Sequence, residues 1–123
     1  MAEATVSGVR LAYELHGQGT PVLFLPGTSM VKEAWLVGPA PALADAGYQV
    51  VLVDNRGVGG SDAPSAPYAV ADLAADAAGL IEQLGIGRCR LVGYSLGGFV
   101  AEFLAAERPD LVRAVAVLGS AWL

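Results

Sequence analysis

The chain has 123 residues, enough for one domain or part of one, with 54% hydrophobic residues and a mean hydropathy of +0.53. Its net charge of −5 is spread without runs of one sign, which argues against a nucleic-acid partner or an anionic membrane surface. No apolar stretch approaches the roughly 18 residues that span a bilayer, and Met1-Ala2-Glu3-Ala4 has neither the basic nor the apolar region of a secretory signal. The lone Cys89 cannot close an internal disulfide. A cytoplasmic location and a buried Cys89 are therefore expected.

Taken in chain order, Thr5 to Leu15 alternates about Gly8 and reads as a β-hairpin with Val9, Leu11 and Tyr13 on one face. Gly17-Gln18-Gly19 turns into an apolar strand, Pro21 to Leu25, closed by Pro26-Gly27-Thr28-Ser29. Met30 to Gly47 holds Trp35 and a helix over Pro41–Ala46. Tyr48 to Val53 is a second apolar strand, closed by the run Asp54 to Asp62. Pro64 to Pro67 is a loop. Val70 to Leu84 has helical periodicity, with Leu73, Ala77, Leu80, Ile81 and Leu84 inward and Asp72, Asp76 and Glu82 outward, and Gly85 and Gly87 stop it. Arg90 to Tyr94 is a short buried strand. From Leu96 a helical stripe of Phe99, Val100, Phe103 and Leu104 runs to Pro109, and Val112 to Leu118 is a last apolar strand. Apolar strands alternating with amphipathic helices predict an α/β fold with a mostly parallel sheet. Such sheets bind ligands at the C-terminal ends of their strands, where Thr28, Asp54 and Ser95 all fall.

Gly93-Tyr94-Ser95-Leu96-Gly97 is a G-x-S-x-G motif between strand and helix. Alone, such a motif arises by chance; in this setting it places Ser95 on a tight, strained turn at a helix N-terminus, where unpaired N–H groups favour a developing oxyanion. Side chains at the flanking positions would strike neighbouring backbone, which is why glycines stand there.

Three segments together, Leu25-Pro26-Gly27-Thr28, Asp54 to Ser61 and Gly93 to Gly97, resemble the N-terminal half of an α/β-hydrolase, in the family's order and spacing. Pro26 stands where the family usually has a histidine of structural role. The resemblance implies a sheet completed by a second chain or a missing C-terminal part, with 1–123 as the N-terminal part of a single domain. It implies Ser95 as the catalytic nucleophile and oxyanion donors in the backbone N–H groups of Leu96 and Thr28. Met30, Trp35 and Tyr94 line the acyl or leaving-group pocket or pack as core. Among the family's enzymes, those that attack with aspartate, haloalkane dehalogenases and epoxide hydrolases, are disfavoured by a serine at the elbow. C–C bond hydrolases, hydroxynitrile lyases and cofactor-free haloperoxidase-like enzymes keep the serine and stay open.

A serine hydroxyl needs a base, and the base needs an orienting carboxylate. The one histidine, His16, lies in a turn far back in the chain and reads as structural. Asp54 ends a strand in a loop that reads as a structural turn, with Arg56 bonding backbone carbonyls, and Asp110 lies at the wrong end of the last strand. The acid and histidine are therefore expected outside this chain, on a complementary C-terminal half. Val112 to Leu118 would otherwise be an unpaired apolar edge. A two-chain enzyme is the leading explanation, beside a piece of a longer chain and a self-assembling half-domain. The expected activity is hydrolysis of a small-molecule ester, lactone or thioester through an acyl-enzyme, with no metal and no cofactor. A non-catalytic binding protein and a biosynthetic isomerase or cyclase are the alternatives.

Overall fold

Residues 2–119 are described by a computed structural model. The chain opens with a hairpin of β1 (Ala2–Val6) and β2 (Val9–His16), joined by Ser7 and Gly8 at φ 51° and 79°. Positive φ at both turn residues is the type I′ geometry whose twist matches paired strands. Val9 and Leu11 are buried and Tyr13 is half-buried, as the alternation predicts.

β2 pairs antiparallel with β4 (Tyr48–Val53). From there the sheet is parallel: β4 with β3 (Thr20–Leu25), β3 with β5 (Cys89–Tyr94), and β5 with β6 (Val112–Leu118). The order is β1-β2-β4-β3-β5-β6. Val22 to Leu25 and Val50 to Val53 are all buried, because both faces of the central strands are covered.

On one face, α2 (Val70–Leu84) and α3 (Leu96–Glu107) cover Val9, Leu11, Leu23, Leu25, Val51, Val53 and Leu91. On the other, a 3₁₀ helix (Lys32–Val37) and α1 (Pro39–Asp45) cover Val22, Phe24, Val50 and Leu52. Each fully buried aliphatic or phenyl side chain contributes about 1.5–3 kcal/mol. α1 begins two residues before its expected start at Pro41. Both prolines lie in the first turn, where a missing N–H breaks no helical bond.

Three side-chain expectations are corrected. Asp76, expected outward on α2, is 5% exposed. Arg56, expected on backbone carbonyls, instead grips Asp76 with Nε–Oδ2 and Nη2–Oδ1 both at 2.7 Å. Both differences have one cause: the loop after β4 folds back onto α2, a long-range contact that helical periodicity cannot show. On α3 the buried face is Gly97, Gly98, Val100, Ala101 and Leu104, while Phe103 is 38% exposed. Small residues let that face approach the sheet closely and turn the phenyl outward. Cys89 is buried, and burial pushes its thiol up to about 11. Among the described residues, no helix is long and apolar enough to cross a membrane.

Candidate active site

Parallel registry brings three loops to one sheet edge: Phe24 pairs with Leu52, and Leu25 with Gly93. The residues that follow these strands are Pro26 to Met30, Asp54 and Ser95.

Ser95 has φ 54° and ψ −115°, outside the ordinary regions for a non-glycine residue. Such strain costs of order 1–3 kcal/mol and persists only where the surroundings enforce it. Here the Ser95 N–H donates to the Leu118 carbonyl at 2.9 Å, and the Ser95 carbonyl accepts from Gly98 N–H at 2.9 Å. A Cβ on Gly93 would lie 2.7 Å from Gly98 N and on top of the Gly97 carbonyl; one on Gly97 would strike the Leu25 carbonyl and sit 2.8 Å from Pro26 O. The two glycines let β5, α3 and the end of β3 meet without side chains between them.

That packing sets the end of β3, which leads into the Thr28 loop, against the first turn of α3. Thr28 is exposed, Ser29 adopts φ 60°, and Met30 N–H donates to Gly27 O at 3.2 Å, closing a turn around Thr28. Leu96, the first residue of α3, has a backbone N–H without an intrahelical acceptor by its position. Tyr94 is 47% exposed and lies in the space left by Gly27 and Gly119, where added Cβ atoms would come within 3.1 and 2.9 Å of its ring. Met30 is half-buried against the core cluster that includes Trp35. Of the two places open to Trp35, the structure uses the core: the ring is 4% exposed and packs edge-on against Phe24 at 4.8 Å. Its Nε1 has no hydrogen-bond partner among the described residues.

Asp54 is 1% exposed and is occupied by structural contacts. Its Oδ1 accepts the Lys32 backbone N–H at 2.7 Å, and its Oδ2 accepts Lys32 Nζ at 3.1 Å and Gly60 N–H at 3.0 Å. Ser61 Oγ donates to the Asp54 carbonyl and accepts the Ala12 N–H at 2.9 Å, stitching this loop to β2. Lys32, the chain's one lysine, is absent from the residues singled out by sequence reasoning. A single cation within an apolar stretch, before a tryptophan, was the available signal. Nζ also meets Glu33 Oε2 at 2.9 Å and Glu14 Oε2 at 3.8 Å. Burial pushes the Lys32 ammonium down, but its hydrogen bonds to Glu33 and Asp54 outweigh this and raise it. Glu33 is lowered, chiefly by its bond to Lys32.

His16 pairs across from Val50 and contacts Glu14 at 3.0 Å. It lies three strand spacings, about 14 Å, from β5, so the structure does not bring it to Ser95. Asp110 is held by Arg108 beyond the opposite end of the sheet. Among the described residues, no group of three His, Cys, Asp or Glu side chains is placed to hold a metal ion.

A serine on a strained strand-to-helix turn, at the C-terminal edge of a parallel sheet, defines the nucleophile-elbow class of fold. Residues 20–123 match the family model of the alpha/beta hydrolase fold, and the chain belongs to that family. A Mycobacterium tuberculosis protein provisionally named a non-heme bromoperoxidase, BpoC, is 35% identical over 112 residues, 91% of this chain and 42% of the relative. The solved structure of Est816, described as an N-acyl homoserine lactone degrading enzyme, matches with TM-score 0.89 at 30% identity, over 97% of this chain and 45% of that one. Epoxide hydrolase VrEH1 of Vigna radiata matches with TM-score 0.92 at 31% identity, over 99% and 40%. The chain thus spans about two fifths of the length of these relatives.

Proposed function

We propose that this chain is the nucleophile-bearing part of a serine hydrolase acting on an ester, lactone or thioester. The strained Ser95 backbone, enforced by Gly93 and Gly97, is the observation that carries the reading. Ser95 Oγ attacks the substrate carbonyl carbon as its proton passes to a base. The tetrahedral oxyanion is held by the Leu96 and Thr28 N–H groups. Collapse expels the alcohol or thiol, which takes that proton, and water then hydrolyses the acyl-enzyme by the same route. One oxyanion donor contributes about 2.7–4 kcal/mol to such a step.

The base and its carboxylate come from outside residues 1–123, on a complementary C-terminal part. Two facts support this: the chain covers about two fifths of its relatives, and β6 is the last strand of the described sheet, with Ala114, Ala116 and Leu118 exposed. A lactone fits the lactone-degrading activity described for Est816, whereas the elbow serine disfavours the epoxide chemistry named for VrEH1.

The test is intact-mass analysis of the native protein after fluorophosphonate treatment, beside turnover of an activated ester. One phosphonyl adduct, lost in Ser95→Ala together with turnover and with little change in melting temperature, is expected. Full turnover by Ser95→Ala would overturn the assignment. Absence of both adduct and turnover in the wild type would favour the binding-protein reading.

A further inference from the structure

Lys32 raises a question that core packing does not answer. Its side chain is 2% exposed, yet a buried ion pair is seldom more stable than well-packed apolar side chains of similar volume. Something other than stability is therefore needed to account for an ammonium here.

The geometry supplies it. Lys32 binds Asp54 twice, by its backbone N–H on Oδ1 and by Nζ on Oδ2. One residue held at two points on one carboxylate is fixed in orientation as well as position. The carboxylate is itself immobile: Gly60 N–H holds Oδ2, and Gly59 packs so closely that an added Cβ would lie 2.6 Å from Asp54 Cγ. Asp54 directly follows β4, so the end of Lys32 nearest the site is referenced to the sheet. The loop carrying Thr28 runs between Leu25, which abuts Gly97 of α3, and Lys32. It is thus clamped at one end to the nucleophile's helix and at the other to Asp54. Between those clamps the backbone turns through Ser29 at φ 60°.

We propose that Lys32 is a positioning residue: through Asp54 it sets where the Thr28 N–H stands relative to Ser95, and so how well the oxyanion is held. This rests on the reading of Ser95 as nucleophile. A donor displaced by about 1 Å can cost up to roughly a hundredfold in rate while leaving ground-state binding nearly intact.

The experiment compares wild type, Lys32→Met and the charge-balanced Lys32→Met/Asp54→Asn in the catalytically complete protein. kcat is expressed per fluorophosphonate-titrated site, so unfolded molecules do not count. Both variants should lose roughly tenfold to a hundredfold in kcat with KM within about twofold. Their affinity for a trifluoromethyl ketone, which forms a tetrahedral oxyanion on serine, should weaken in step, while affinity for the alcohol product holds. The double variant should melt near wild type and still be slow; if Lys32→Met alone fails to fold, the double variant decides. Wild-type kcat per site in either folded variant, a loss confined to KM, or unchanged ketone affinity would overturn the proposal. A wild type that neither labels nor turns over removes the Ser95 reading, and this inference with it.

Discussion

At the end of β5 the backbone is held by missing side chains: Gly93 and Gly97 let carbonyls and a helix meet around Ser95. At the end of β4, on the other side of β3, the chain is held by charge. Asp54 takes Lys32, and Arg56 reaches α2 to take Asp76. The glycines of the first junction stand within five consecutive residues, although the carbonyls that Gly97 admits, those of Leu25 and Pro26, come from β3. The second joins residues about twenty apart in each case, and each half gives no sign of the other. Steric exclusion in the folded chain does not depend on protonation or salt. Ion-pair closure depends on both partners being present, desolvated and correctly protonated.

The contrast can be broken most severely at Asp76. Asp76→Ala leaves the Arg56 guanidinium without its buried carboxylate and should cost about 3–5 kcal/mol, whereas Arg56→Met/Asp76→Leu should recover most of it. Urea denaturation of the three proteins checks this, and a fully additive double variant would contradict the closure argument.

At the elbow, Gly97→Ala places a methyl against the Leu25 and Pro26 carbonyls, so a loss of about 1–3 kcal/mol is expected. Fluorophosphonate labelling of Ser95 should slow further than that stability loss explains, because α3 must back away from the Thr28 loop.

The corrected face of α3 gives a sharper comparison. Leu104→Ala removes a side chain that is 1% exposed and should cost about 2–5 kcal/mol. Phe103→Ala, at a surface position, should cost less than about 1 kcal/mol. Equal costs would restore the phenyl to the core.

The smallest effect concerns pH. The Lys32 ammonium is raised in the folded state, so its contribution is fully present below its unfolded value near 10.4 and falls as pH rises through the folded value. As pH rises above about 10, wild type should therefore lose stability more steeply than Lys32→Met, measured as urea midpoints.

Much of the candidate site's backbone geometry is legible in the sequence. The G-x-S-x-G run between a strand and a helix was enough to anticipate the strained serine, since glycine spacing records backbone clashes directly. The parallel sheet followed from buried strands alternating with helices. Asp76 differs from the outward face that periodicity predicts because it borders the inward stripe of Leu73, Ala77 and Leu80, and periodicity assigns a face but not a partner. Phe103 differs from its predicted inward position because hydrophobicity does not by itself dictate burial, and the close approach allowed by Gly97, Gly98 and Ala101 turns α3 toward Val100 and Leu104. Trp35 had two possible homes, and packing against Phe24 decided between them.

By itself the sequence determined the family, the strand edge that carries the site and the residue at its elbow, because each rests on spacing between near neighbours. Only the tertiary structure decided that Lys32 is bound to Asp54 and Arg56 to Asp76. Those contacts form when β4 and its loop fold against the 3₁₀ turn and α2, and burying a charge becomes tolerable only once its distant partner has arrived.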